Sequence, residues 1–92
     1  MEKYQLYIDG KFQDSSSKKT FESLNPATEE PWALVPEAET EDVNKAVNAA
    51  YNAFHGEWSS FLPNERAKFL RAIGDQLKNN AELLGKIETR DT

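Results

Sequence analysis

The protein has 92 residues, enough for one small domain, and 11 basic and 16 acidic side chains give it a formal net charge of −5. It contains no cysteine and a single histidine, which excludes disulfides, zinc–thiolate sites, a cysteine nucleophile and a histidine metal cluster within these residues. Nucleic-acid binding and attachment to an anionic membrane both require clustered cations, which an acidic chain lacks. Because there is also no membrane-span pattern and no signal pattern, we expect a cytoplasmic location with no nucleic-acid or membrane partner.

Residues 1–36 have the pattern of strands and turns. The β-forming run Tyr4–Ile8 is followed by Asp9 and Gly10, a pair that favours a tight hairpin turn because glycine tolerates a positive φ. Ser15–Lys19 is predicted to be a polar loop.

A second strand pair is predicted after this loop. Thr20–Leu24 alternates as a strand does, and Asn25 begins a turn in which its side chain can bond the backbone two residues on. Trp32–Val35 lies between two prolines, which predicts a short edge strand because proline donates no hydrogen bond to a sheet. We expect antiparallel hairpins and no parallel pairing.

Residues 37–92 have a helical pattern. Thr40 is a candidate N-cap for a first helix that extends to about Phe54 and ends at Gly56. Its apolar residues recur at helical spacing and form one stripe: Val43, Ala46, Val47, Ala50, Tyr51 and Phe54.

Two further helices are predicted. The second covers Pro63–Asn79, since proline is favoured at the first helical position, and its stripe includes Leu70, Ile73 and Leu77. The third is capped by Asn80 and runs from Ala81 to about Glu88. The whole pattern is that of an α+β fold: antiparallel hairpins over 1–36, then two to three helices over 37–92.

The residues that carry chemistry elsewhere do not form a recognisable catalytic set here. His55 has no nucleophile near it in sequence and is better explained as a surface residue at a helix end than as a general base. Ser15–Ser17 has no activating base. Trp32 and Trp58 have no interleaved basic residues, so we interpret them as packing residues rather than as a platform for bases.

One segment of the sequence is acidic throughout, and two explanations for it are possible. The segment from Glu22 to Asp42 contains seven acidic residues and no basic ones. It is explained either by a surface for a basic partner or cation, or by a solvated loop followed by a helix start that favours acids.

Six segments of the chain form an ordered set of motifs: Tyr7–Phe12, Thr20–Glu22, Asn25–Glu30, Val35–Ala38, Glu41–Val43 and Glu88–Thr92. This set resembles the N-terminal segment of the aldehyde dehydrogenase superfamily. The resemblance covers essentially the whole chain and is specific as an ordered set rather than through any one motif. The chain departs from the family at Glu29, where a glycine is usual, and at Pro31.

This resemblance implies a longer, homo-oligomeric parent enzyme that oxidises an aldehyde to a carboxylic acid with NAD or NADP. Its cysteine nucleophile, general base, oxyanion-hole asparagine and cofactor-binding lysine match no position in this sequence. The resemblance therefore implies that residues 1–92 are the N-terminal part of the α/β, Rossmann-like cofactor-binding domain, with no catalytic residue and no cofactor bound by this chain alone.

The resemblance transfers one site, for a monovalent cation. In many members the ligands are backbone carbonyls before Asn-Pro and an aspartate carboxylate, which correspond here to Ser23, Leu24 and Asp91. The alternative is that Asp91 is a frayed carboxylate near the end of the chain. Two function classes remain: a segment of an aldehyde dehydrogenase, or a stand-alone interaction module that docks through its amphipathic helices.

Overall fold

The computed structural model describes all residues, Met1–Thr92, as a mixed α+β chain of five strands followed by four helices. The strands are β1 (Glu2–Lys3), β2 (Leu6–Ile8), β3 (Lys11–Gln13), β4 (Thr20–Leu24) and β5 (Pro31–Pro36). The helices are α1 (Thr40–His55), α2 (Glu57–Ser60), α3 (Pro63–Asn79) and α4 (Ala81–Asp91). None of them has the length and apolar character of a helix that crosses a membrane.

The predicted hairpin at Asp9 and Gly10 is confirmed. Strands β2 and β3 pair antiparallel, with Ile8 opposite Lys11 on either side of the two turn residues. Asp9 has φ 53° and Gly10 has φ 75°, as a two-residue primed turn requires at both central positions. Local backbone chemistry alone therefore fixes this part of the fold.

The expectation that β5 is an edge strand was wrong, and so was the expectation of purely antiparallel pairing. Strand β5 is the central strand of a three-stranded sheet, antiparallel to β4 and parallel to β1. Its two prolines occupy its ends, so the interior keeps its N–H groups for both neighbours. The two-residue β1 is too short for a sequence pattern to show. Ala33, opposite Glu2 of β1 and Ser23 of β4, is fully buried.

The helix predictions are confirmed with small corrections. The long second helix has the predicted bounds, whereas the first ends at His55 and the last continues to Asp91. The four-residue α2 was not predicted. The N-cap of α1 is Glu39 rather than Thr40, because the Asp42 carboxylate accepts a hydrogen bond from the Glu39 N–H at 2.9 Å and so includes that residue in the cap.

The apolar faces of the two long helices are open to solvent. The main stripe residues are 53–67% exposed: Val43, Val47, Tyr51, Phe54, Leu70, Ile73 and Leu77. Part of the surface of α3 is covered, since Trp58 packs on Phe69. The radius of gyration is 16.6 Å, against about 12 Å for a compact domain of this length. The molecule is a flat, extended body of 47 × 34 × 16 Å.

Because these faces are open, we predict that the isolated chain self-associates through them or is only partly folded in dilute solution. Each large apolar side chain left exposed forgoes about 1.5–3 kcal/mol of burial, and the whole stability of a small domain is only about 5–15 kcal/mol. Sedimentation equilibrium combined with circular dichroism tests this. A folded monomer that melts cooperatively and identically across a hundredfold dilution would contradict it.

A second prediction concerns the turn after β4. Glu29 has φ 62°, in the left-handed region that favours glycine, at the position where the family resemblance places a glycine. We expect Glu29→Gly to raise the free energy of unfolding by roughly 0.5–1 kcal/mol, since it removes about 1–2 kcal/mol of left-handed strain against a smaller entropic cost. Ala27→Gly is the control and should lower it by about 0.5–1 kcal/mol. Urea unfolding measures both; destabilisation by Glu29→Gly would refute the strain argument.

Candidate functional site

The fold brings together two of the three residues proposed for a cation site. Ser23 near the end of β4 and Asp91 at the end of α4 are in contact, and the Ser23 hydroxyl donates a hydrogen bond to Oδ1 of Asp91. Leu24 follows at an irregularity in the pairing of β4 with β5. A carboxylate, a hydroxyl and nearby carbonyls are oxygen ligands of the kind that hard cations take. Cation binding by Ser23, Leu24 and Asp91 stays a prediction.

Contacts around Trp32 connect the last helix, which ends at Asp91, to the sheet. The guanidinium of Arg90 lies 5.0 Å from the centroid of the Trp32 ring, a distance at which cation–π attraction operates. Tyr4 packs edge-on against the same indole, with 6.0 Å between ring centroids. The sequence identified Trp32 as a packing residue, but it gave no signal that Arg90 is its partner.

Of the polar atoms around the Trp32 indole, the Tyr4 hydroxyl has a hydrogen-bond partner and the indole nitrogen has none. The Tyr4 hydroxyl donates to Oε2 of Glu2 at 2.6 Å, and this carboxylate raises the pKa of Tyr4 above its usual value of 10.0. The indole Nε1 of Trp32 is buried and has no hydrogen-bond partner. The contact between α4 and the sheet is therefore held by the ring stack rather than by a complete hydrogen-bond network.

A second polar cluster joins the loop after β3 to the start of α1. Asp42 is only 6% exposed, and its carboxylate accepts hydrogen bonds from the backbone N–H of Glu39 at 2.9 Å and of Ser16 at 3.0 Å. The Ser16 hydroxyl donates to the same carboxylate at 3.1 Å. These bonds, first of all that from Glu39, hold the pKa of Asp42 below its usual value of 3.8. Sequence reasoning assigned Ser15–Lys19 to a loop, which is correct, but missed this long-range contact.

The remaining residues considered from the sequence do not form a catalytic arrangement. His55 is exposed, and its ring packs against two rings of its own helix, Tyr51 at 4.3 Å and Phe54 at 5.0 Å between centroids. Trp58 packs against Phe61 and Phe69, which confirms its interpretation as a packing residue. No group of three or more histidine, aspartate or glutamate side chains has the geometry to hold a metal ion.

Comparison with known proteins identifies the family. The family model described as the aldehyde dehydrogenase family matches residues 12–92. This chain belongs to the aldehyde dehydrogenase family.

Individual members agree with this assignment. The chain is 45% identical over 93 residues to (Z)-2-((N-methylformamido)methylene)-5-hydroxybutyrolactone dehydrogenase of Acinetobacter baylyi, a match that covers 100% of this chain and 19% of that protein. It is 42% identical over 86 residues to an aldehyde dehydrogenase of Aspergillus niger, with coverage of 94% and 17%.

Solved structures of the family superpose closely on this fold. The NAD+ complex of an aldehyde dehydrogenase from Bacillus cereus matches with a TM-score of 0.93 and 38% identity, over 98% of this chain and 18% of that one. Betaine aldehyde dehydrogenase from Staphylococcus aureus in complex with NAD+ matches with a TM-score of 0.91 and 40% identity, over 96% and 18%. The chain spans under a fifth of the length of these relatives and corresponds to the N-terminal segment of the family.

A testable consequence of the Asp42 cluster is acid sensitivity. Because the pKa of Asp42 is lower in the folded chain than in the unfolded chain, its stabilisation is present above about pH 4 and is lost as the pH falls through the folded pKa. We expect Asp42→Asn to lower the free energy of unfolding at neutral pH and to approach the wild-type value in acid.

The control is Glu41→Gln, which removes an exposed acid from the same helical turn and should leave the pH profile unchanged. Urea unfolding between pH 2 and 7 gives the comparison. Equal pH profiles for the wild type and Asp42→Asn would show that the cluster does not stabilise the fold.

Proposed function

We propose that this chain is the N-terminal structural segment of an NAD(P)-dependent aldehyde dehydrogenase, within its Rossmann-like cofactor-binding domain, and that residues 1–92 alone have no dehydrogenase activity. The family membership supports the parent activity, as do the dehydrogenase names of the relatives and the NAD+ held by the solved neighbours. The observation that carries the structural role is the open apolar face of the long helices, which requires a partner surface.

In this proposal NAD(P)+, when bound by the parent enzyme, would supply the hydride acceptor for oxidation of the aldehyde. The nucleophile that attacks the carbonyl is a cysteine, and this chain has none. Its most buried hydroxyl, on Ser15, is 3% exposed and donates to the Lys19 carbonyl at 3.3 Å with no base beside it. The residues of this chain therefore contribute shape and packing to the enzyme rather than chemistry on the substrate.

The open apolar surface includes a groove between α3 and α4. This groove has a volume of about 560 Å³ and is lined mainly by apolar side chains: Phe69, Ala72, Ile73, Leu77, Leu83 and Leu84. Exposed apolar surfaces of this kind mark association sites. We propose that the remainder of the family fold covers this groove, that the whole enzyme is a cytoplasmic homo-oligomer acting on an aldehyde, and that Ser23, Leu24 and Asp91 contribute to a monovalent-cation site.

The same open faces also favour a second candidate, a stand-alone module that docks on an unrelated partner protein. The two candidates differ in the protein that would cover the open apolar faces. An aldehyde dehydrogenase segment should complement a family enzyme that lacks the matching part, whereas a stand-alone module should not.

The test is reconstitution of activity from two chains. Residues 1–92 alone should produce no NADH or NADPH from aldehydes. Mixed with the Bacillus cereus aldehyde dehydrogenase from which the matching segment has been deleted, they should restore aldehyde-dependent NADH formation. Activity of residues 1–92 alone would refute the proposed inactivity, and failure to associate with the truncated enzyme would favour the interaction module.

A variant pair locates the docking surface. Leu77→Asp places a charge in the groove and should weaken association with the truncated enzyme at least about tenfold, which corresponds to about 1.4 kcal/mol. Lys68→Asp places the same charge on α3 away from the residues that line the groove, so its affinity should match that of the wild type. Equal losses for both variants would place the contact elsewhere.

A further inference from the structure

A small cavity lies between the loop that connects β3 to β4 and the ends of β1 and β5. Its volume is about 140 Å³, the liquid volume of roughly four to five water molecules, which suits a tetrahedral oxyanion of five heavy atoms. The polar residues that line it are Lys3, Asp14, Ser15, Lys18, Lys19 and Thr20.

The residues that line this cavity are more basic than acidic, whereas the whole protein is acidic. Three of the eight lysines line it, although the protein carries a net charge of −5. The only ion pair in the structure joins Lys86 to Glu82, so no carboxylate lies within 4.0 Å of the three lysine ammonium groups. Asp14 is the one acidic residue among the three lysines, so positive charge is in excess around the cavity, and a multiply charged anion would offset that excess.

The backbone explains how two adjacent lysines line one cavity. In an extended chain, neighbouring side chains point to opposite sides. Here Lys18 has φ 60°, and its N–H donates to the Ser15 carbonyl at 3.0 Å, which closes a turn. The Lys19 N–H donates to the Ser17 hydroxyl at 3.2 Å. This turn is how both residues come to line the cavity.

Asp14 gives the cavity a means of selecting its anion. Its Oδ1 accepts a hydrogen bond from Nε2 of Gln5 at 3.1 Å, and its Oδ2 makes no hydrogen bond. An ionised carboxylate only accepts hydrogen bonds, so it repels an anion without a proton, such as sulfate. A phosphate that retains an O–H can donate to Oδ2 while its other oxygens accept from the lysines.

From this arrangement we propose that the cavity binds a protonated phosphate group, with Lys3, Lys18 and Lys19 donating hydrogen bonds to its oxygens and Asp14 accepting a hydrogen bond from its O–H group. This site lies on the strand region and is independent of the dehydrogenase role proposed for the chain.

The experiment is an NMR titration of the ¹⁵N-labelled chain with inorganic phosphate at constant ionic strength, maintained with chloride. Amide shifts should saturate and concentrate in residues 14–20 and 3–4, and sulfate should bind more weakly. Methyl phosphate distinguishes the source: binding of phosphate alone indicates the free ion, and binding of both indicates that a phosphate ester is also accepted.

Matched variants separate a site from general charge attraction. Lys18→Gln combined with Lys19→Gln should weaken phosphate binding about tenfold or more, whereas Lys68→Gln combined with Lys78→Gln removes the same charge from α3 and should have little effect. Asp14→Asn should reduce the preference for phosphate over sulfate. Spectra that are unchanged outside the cavity verify that each variant is folded.

The proposal is overturned by any of three results. The first is that phosphate causes no saturable shift, and the second is that phosphate and sulfate bind the wild type equally. The third is that the α3 control loses as much affinity as the cavity variant.

Discussion

This chain buries very little apolar surface by itself. Ile8 and Ala33 are the buried residues with aliphatic side chains in the core, and both lie in the strand region. The helices bring most of the large apolar side chains and leave them facing solvent. An amphipathic helix gains most of its stability from the surface against which its apolar face packs. The segment is therefore organised as one half of an interface, which is what a piece of a larger family fold requires.

Polar and aromatic contacts join the helices to the strand region. Asp42 links the first turn of α1 to the loop at Ser16, and the Arg90–Trp32 stack places the end of α4 on β5. Both contacts connect residues that are distant in sequence, so they define the tertiary arrangement rather than any one element. The Ser23–Asp91 hydrogen bond lies at the second of these junctions. The proposed cation site thus coincides with the point where helix and sheet are fixed to each other.

The sequence predicted the local features well because their causes are local. The hairpin follows from the positive φ values at Asp9 and Gly10, and α3 follows from Pro63 together with an apolar stripe. It did not predict that β5 is central, because that depends on pairing with the two-residue β1, as of Ala33 with Glu2, far earlier in the chain. For the candidate site, the resemblance supplied Ser23 and Asp91, but no pattern linked Arg90 to Trp32 or Asp42 to Ser16. Contacts made by a single pair of distant residues leave no periodic trace in a sequence.

The turn after β4 combines hydrogen bonds between neighbouring residues with the pairing of β5 on β4. The Asn25 side chain accepts a hydrogen bond from the Ala27 N–H at 2.9 Å, as the sequence predicted, and the Asn25 carbonyl accepts from the Glu29 N–H at 2.7 Å. Within this hydrogen-bonded turn Glu29 has the left-handed φ of 62°. The strain is tolerated because the turn must return the chain to pair β5 with β4, and the Asn25 N–H closes it on the Glu30 carbonyl at 2.9 Å. Since β5 also carries Trp32, this strained turn determines where α4 can dock, and with it the position of Asp91 beside Ser23.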